Sequence, residues 1–403
     1  MKTTQNRLTR LNSLNLFSTG LASLACLTLV ACGSNVPKVT PSTLSPASGA
    51  ASIAAVWSSS ERFTQAVTIN ANRDVVYGVN EGLNVVALNA STGKVLWKAS
   101  AADTLNKKSG VIEAPIGFSE DGQSILALVQ GSEAVSMDAK TGKVLWRSAL
   151  TAEMRVRPVF SKGSFIVLTA DSRILALEED TGRRRWEMQR PAPTLAIRGS
   201  GSILADGNFA YVGTASGKVV AIKTADGTRI WEQSLSNLQG VNDIERLSDV
   251  LSLHKINDKA CGTTYKQRMT CLNMGDGAVV FTQDANSLNT GAFFESARRA
   301  VALDEKNMLR AWAFDTELRK SAEWEYDGIV GRGPGLVAGL SSTVWIGDET
   351  GLMHVLDAIS GKVIARANLG KTLFLQSAAL KDAPLIFAQT KEGLRVFTLK
   401  VTP

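Results

Sequence analysis

Few residues in this chain are suited to chemistry. Two of its 403 residues are histidines and four are cysteines. His254 and His354 stand far apart, without the close spacing that joins metal ligands or a nucleophile to its base. No cluster of Asp, Glu and Asn has the pattern of a Ca²⁺ site. No Gly-rich loop follows a strand and opens a helix, as a phosphate cradle requires. No catalytic or metal-binding residue is assigned. The cysteines form two pairs. Cys261 and Cys271 flank Tyr265-Lys-Gln267 and read as facing strands of one hairpin. An oxidising compartment would join them in a cross-strand disulfide; two separate buried thiols are the alternative. Cys26 and Cys32 lie in an apolar N-terminal stretch, where the chemistry open to a thiol is acylation.

That stretch has an order. Residues 1–10 are basic, and residues 11–31 are mostly apolar or small and carry no charge. A basic segment, an apolar segment and small residues before a break describe a secretory signal peptide. The break, Leu29-Val-Ala-Cys32-Gly33, is similar to the bacterial lipobox, whose cysteine is lipidated and becomes the first residue after cleavage. Cys32 is therefore the expected lipidation site. An uncleaved anchor, or a plain signal peptide with a chance cysteine, is the alternative. Cleavage at Cys26 would leave Leu27-Thr-Leu-Val-Ala31 exposed on the mature chain. Gly33 stands where Asp would retain the protein in the inner membrane, by analogy with enteric bacteria, so the outer membrane is expected. Residues 37–51 are rich in Pro, Ser, Thr, Ala and Gly and read as a flexible tether. The expected organisation is a signal peptide at 1–31, a lipidated tether at 32–51 and one folded domain at 52–403.

What holds that domain together is a repeat. Ala87-Leu-Asn-Ala-Ser-Thr-Gly-Lys-Val-Leu-Trp97 returns as Ser136-Met-Asp-Ala-Lys-Thr-Gly-Lys-Val-Leu-Trp146. Further copies end at Trp186 and Trp231, and weaker ones at Phe281, Trp324 and Ala365. Each reads as a strand, a turn whose glycine takes a positive φ, and a returning strand. The terminal tryptophan offers apolar area to the next copy, since one hairpin cannot bury such a face alone. Trp57 ends a lone strand, Ile53-Ala-Ala-Val-Trp57. Successive strand ends are 40 to 50 residues apart, the period of a propeller blade. After position 365 comes a hairpin, residues 384–389 and 394–399, lacking a tryptophan strand. The N-terminal strand supplies what that hairpin lacks. The predicted fold is all-β: an eight-bladed propeller of four-stranded antiparallel blades, closed where the N-terminal strand joins the C-terminal blade. Closure removes exposed sheet edges.

The formal charge is +7. Lys2, Arg7 and Arg10 supply three of those charges, and no acid offsets them within residues 1–31. The rest is too mildly basic for a nucleic-acid footprint. Arg183-Arg184-Arg185 is the sharpest cluster and reads as a solvated hairpin rather than a polyanion site.

The Thr-Gly-Lys-x-x-Trp strings at 92–97 and 141–146 resemble the tryptophan-docking motifs of the pyrroloquinoline-quinone propellers. That likeness concerns architecture. A quinone enzyme would need a Ca²⁺ site, and many members carry adjacent cysteines, which this chain lacks. No cofactor is expected. With the lipobox and tether, the repeat resembles the BamB family, lipoproteins of the β-barrel assembly (BAM) machinery in Gram-negative outer membranes. Two segments sharpen this. Thr194-Leu-Ala-Ile-Arg-Gly199 looks like the family's Leu-x-Leu-Arg-Gly. Ile244-Glu-Arg-Leu-Ser-Asp-Val250 is similar to its Ile-Asp-Arg-Leu-Ser-Asp-Val, although Leu251 stands where a second Asp is common. In the family these segments meet the POTRA domains of BamA. The resemblance thus implies Leu195, Ile197, Arg198 and Asp249 as partner-binding residues. It implies BamA and the BAM complex as partners, with unfolded outer-membrane proteins as further contacts. The membrane is reached by the lipid anchor alone, and no nucleic acid is involved. The competing functions are a quinoprotein enzyme and a glycan-binding propeller. Blade order adds one expectation of its own. Residues 195–198 and Asp249 both connect an outermost strand to the next innermost strand, so they should emerge side by side on one face.

Overall fold

The structure, a computed structural model, describes residues 44–401 except 45, 50, 65, 71, 73, 83, 102–115, 130–131, 155, 198–199, 237–246, 267, 287–290, 295, 314–320, 331–334, 339–341 and 381–382. The expected signal peptide, Cys32 and most of the tether lie outside the described residues. Eight four-stranded antiparallel sheets follow one another along the chain. Blades 1 to 7 occupy residues 68–100, 117–149, 159–189, 202–234, 250–284, 292–326 and 335–368. In each the strands run from the innermost, which lines the channel, to the outermost in chain order.

Blade 8 closes the ring. Thr372–Leu380, Ala383–Thr390 and Gly393–Val401 supply three strands, and Ala51–Ser59 is the fourth. The N-terminal strand pairs antiparallel with the last one, from Ala51 opposite Val401 to Ser59 opposite Leu394. The sequence reading singled out only the final hairpin; the structure adds Thr372–Leu380 before it. It also changes the end of the tether. The strand begins at Ala51, Ser48 N–H donates to the Val363 carbonyl at 3.0 Å, and Ala47 packs against the core between blades 6 and 7. The last tether residues therefore lie on the domain instead of swinging free.

The repeated string works as a lock between neighbours. In blade 1, Asn89 Oδ1 accepts from the Ser91 and Thr92 amides and the Thr92 hydroxyl, which folds the turn. Gly93 follows at φ +71°. A Cβ there would lie 2.3 Å from the Trp57 ring, so the preceding blade's tryptophan lies flat on a surface only glycine provides. Trp97 rests on Gly142 in the same way, Trp146 on Gly182, Trp186 on Gly227, Trp231 on Gly277 and Trp324 on Gly361. Each indole N–H also donates to a turn carbonyl of the next blade, as Trp57 does to Ala90 at 2.9 Å and Trp97 to Ala139 at 3.0 Å. A one-residue bulge just before Trp57, Trp97, Trp146, Trp186 and Trp231 turns each ring toward its neighbour. The skipped residue faces solvent, which is why Leu96 and Leu145 are exposed.

The two missing tryptophans now have a reason. Phe281 of blade 5 would dock on the turn of blade 6, whose sequence has no glycine. Ala365 of blade 7 faces blade 8, where the place of that turn is taken by the two chain ends. Where the sequence supplies no docking glycine, no tryptophan stands opposite. Cys261 and Cys271, opposite each other in the two central strands of blade 5, are disulfide-bonded and fully buried.

Candidate partner-binding site

The connections from an outermost strand to the next innermost strand emerge on one face. The connection from blade 3 to blade 4 begins at Arg190 and ends at Gly201. Its sequence, Pro191-Ala-Pro-Thr-Leu-Ala-Ile197, contains two prolines, which restrict the backbone and have no N–H to donate. Its order must come from contacts at its ends.

At the first end, the Arg190 guanidinium forms a two-pronged pair with Glu232 on the outermost strand of blade 4, at 2.9 and 3.0 Å. Lys218 and Arg229 also reach Glu232, at 3.1 and 3.3 Å. Arg190 first, then Lys218, holds the Glu232 carboxyl down at about 2, against a partial opposing effect of burial.

At the second end, Asp249 Oδ2 accepts from the Ile197 amide and from the Ser200 hydroxyl, both at 2.6 Å. These are the short distances of bonds to an ionised group. The Ser200 amide donates to the Ile197 carbonyl, closing a turn over residues 197–200. Gly201 N–H then donates to the Val250 carbonyl at 2.7 Å. Asp249 itself precedes the innermost strand of blade 5, so the two connections touch directly, and Ile197 and Asp249 share one face as blade order required.

One expectation needs correction. The resemblance implies Asp249 as a partner-binding residue, yet it is fully buried. A carboxylate that receives a backbone amide and a hydroxyl from the neighbouring connection is drawn beneath it, because an unmet charge there would be costly. It acts on the loop from below. Leu195, in contrast, is 44% exposed, and Ile197 is half-buried. Arg198 lies outside the described residues, as do Ile244, Glu245 and Arg246.

Sequence reasoning missed Arg190, Glu232 and Ser200. The first two are 42 residues apart with no local pattern linking them. Only the repeat register, which places Arg190 just after the outermost strand of blade 3 and Glu232 on the outermost strand of blade 4, could have suggested the pair.

The remaining chemistry is structural in placement. His354 is buried, with Nδ1 2.8 Å from the Tyr326 hydroxyl and Nε2 3.3 Å from Asp348 Oδ2. His254 is half-buried beside Phe293, and desolvation lowers its pKa. Among the described residues no three His, Cys, Asp or Glu side chains gather as a metal site. Trp312 and Trp345 are buried. Arg183 and Arg184 pair with Glu178 and Glu187, and Arg185 donates to the Lys162 carbonyl.

Residues 84–293 match the family described as outer membrane protein assembly factor BamB. A relative of that name from Bordetella pertussis is 27% identical over 297 residues, 73% of each chain. Among solved structures, BamB from Moraxella catarrhalis superposes with a TM-score of 0.73 at 21% identity, covering 86% of this chain and 99% of that one. The quinohemoprotein alcohol dehydrogenase from Comamonas testosteroni does so with a TM-score of 0.65 at 12% identity, covering 88% and 77%. Likeness at these structural identities concerns the fold, and the same ring serves an assembly factor and a dehydrogenase alike.

Proposed function

Because the chain belongs to the family of outer membrane protein assembly factor BamB, we propose that it is a non-enzymatic scaffold of the BAM complex. It binds the POTRA domains of BamA and assists the folding and insertion of outer-membrane β-barrels. A lipid on Cys32 holds it at the periplasmic face of the outer membrane. The observation that carries this reading is the connection at residues 190–201, fixed at one end by Glu232 and at the other by Asp249, with Leu195 exposed between them.

An exposed leucine on a loop held at both ends is a binding surface with its ordering cost already met. Leu195 and half-buried Ile197 offer a small apolar centre, and Arg198, next in sequence, brings a cation to it, a composition that suits an interface core and its rim. The work is non-covalent: the propeller presents a rigid surface and positions its partner.

The test is a pull-down against isolated POTRA domains beside a thermal melt. Leu195→Ala with Ile197→Ala, or Arg198→Glu alone, should weaken binding by about 2 kcal/mol, roughly thirtyfold. The melt should barely move, since Leu195 is already exposed. Binding that survives both variants sinks the assignment, and a large fall in melting temperature for the double variant makes these residues core instead. Cys32→Ser should abolish palmitate labelling and membrane association, while Cys26→Ser should not; labelling of the Cys32 variant would move the anchor elsewhere.

A further inference from the structure

We propose that the Cys261–Cys271 disulfide is the lock of the seam between blades 5 and 6, so that the ring closes firmly only in an oxidising compartment and, with the two thiols reduced, opens first at that seam.

Each seam between neighbouring blades holds one buried apolar cluster. At six of them an indole also bridges the rim, donating its N–H to the next blade's turn. Among the described residues the other two seams lack that bridge, and each has its own substitute. Between blades 7 and 8 the chain itself crosses: Ser48 N–H donates to the Val363 carbonyl, and Ala51 joins the buried cluster. Between blades 5 and 6 the rim position holds Phe281, whose ring has no N–H to donate. There the buried cluster contains Cys261 and Cys271. The two tryptophans outside the repeat, Trp345 and Trp312, belong to the clusters of these same two seams.

Strand register explains why the disulfide acts on the seam. His254, Cys261, Cys271 and Phe281 are paired in turn across the four strands of blade 5. Paired residues direct their side chains to the same face of a sheet, so this row is the surface that blade 5 turns toward blade 6. Blade 6 meets it with Phe293, whose ring centre lies 6.2 Å from that of His254 and 6.5 Å from that of Phe281. Trp312, on the strand Leu309–Ala313, completes the contact. In blade 4 the middle of the same row is a large residue beside a small one, Tyr211 beside Ala221, and the small one is paired with the docking Trp231. Blade 5 has a cysteine in each of those places. Bonded, the two form one rigid body between His254 and Phe281.

The bond closes a loop between residues only 10 apart, on strands already paired to each other. It therefore constrains the unfolded chain less than a bridge between distant segments would. Its larger effect is on packing. Two unbonded thiols need more room than a bonded pair, and Cys261, Met269 and Cys271 are all fully buried. Overfilling a packed core displaces its neighbours, which here are the aromatic rings of the seam. Making the lock joins the two Sγ atoms. Each thiol gives up its proton, and the two electrons pass to a disulfide-bearing oxidant that leaves as a dithiol. Such a bond persists outside the reducing cytosol.

The test uses the full chain in detergent, refolded with and without a phosphine reductant, and hydrogen exchange read by mass spectrometry. With the thiols reduced, amides of Val279–Asp284, Ala292–Phe294 and Arg299–Leu303 should exchange at least about tenfold faster. Val95–Ser100 and Val144–Ala149, at seams with an indole bridge, should keep their rates. Uniform acceleration over all blades, the greatest acceleration at Thr372–Leu380 of blade 8, or no change at all overturns the proposal. A second measurement needs only the oxidised protein. Both cysteines are fully buried, so the reductant reaches the bond only when the seam opens. Phe281→Ala should speed loss of the disulfide from the folded protein by at least about tenfold. Trp97→Ala, which loosens the seam between blades 1 and 2, should leave that rate within about twofold of the parent's. Equal acceleration by both variants would mean that the bond is reached by global unfolding, and that result, or no acceleration by Phe281→Ala, overturns the proposal.

Discussion

Asp249→Ala is the sharpest perturbation of the candidate site, because a fully buried group there acts on an exposed one. From the described residues the carboxylate accepts two hydrogen bonds of 2.6 Å, from the Ile197 amide and the Ser200 hydroxyl. Each bond to a charged group contributes about 1.5–3 kcal/mol, so both together contribute about 3–6 kcal/mol. Removing the buried charge also relieves its own desolvation, which leaves a net loosening of the turn at 197–200 of about 2–4 kcal/mol. That loss is local. Gly201 still donates to Val250 and Leu253 N–H still donates to Ser202 Oγ, so blades 4 and 5 stay joined. Hydrogen exchange at the Ile197 amide should therefore accelerate by about thirtyfold or more, while amides of the central strands keep their protection. POTRA affinity should fall by up to the same factor, because binding must now order the loop. Asp249→Asn keeps the shape and one accepting oxygen, and should fall between parent and alanine. Unchanged exchange at Ile197 would refute the clamp. Lost affinity with unchanged exchange would refute it too, since Asp249 would then be touching the partner itself.

Glu232 titrates at about 2 in the fold against 4.5 unfolded, so its stabilisation is complete above pH 4.5 and is lost as pH falls toward 2. The stability gap between the parent and Glu232→Gln should be about 1–2 kcal/mol at pH 6, allowing for solvent screening at the rim, and should narrow at pH 3. Urea unfolding at both pH values checks this, and a gap that ignores pH refutes it. Trp97→Ala removes both the ring over Gly142 and the bond to the Ala139 carbonyl, and should destabilise by about 2–4 kcal/mol given that the ring is part-exposed. Gly142→Ala places a Cβ 2.6 Å from that ring and 2.9 Å from the Ala99 Cβ at φ +73°, so its cost in the Trp97→Ala background should shrink to about 1–2 kcal/mol of backbone strain plus a small shift at Ala99. Chemical denaturation of the four proteins gives the cycle, and additivity within about 0.5 kcal/mol would mean that ring and glycine do not meet.

The repeat made the ring legible in the sequence. Strand, turn and tryptophan are local features: the Thr-Gly turn folds on its own Asn89 or Asp138, and the tryptophan recurs at the blade period. The closing strand was legible for the same reason, since Trp57 lacked a front and residues 384–399 lacked an end. Adjacency of Ile197 and Asp249 also followed, because blade order alone decides on which face a connection emerges.

Burial was decided by the tertiary structure. Sequence placed Asp249 in a connection, where a carboxylate is ordinarily solvated. Only the neighbouring loop, folded over it from residues 197–200, turns it into a buried acceptor. Arg190 and Glu232 are unremarkable residues until adjacent blades bring them together. A short-range pattern can specify turns, strands and the docking of one repeat on the next. The environment of a charge depends on atoms contributed from distant parts of the chain, and it exists only once the ring has closed.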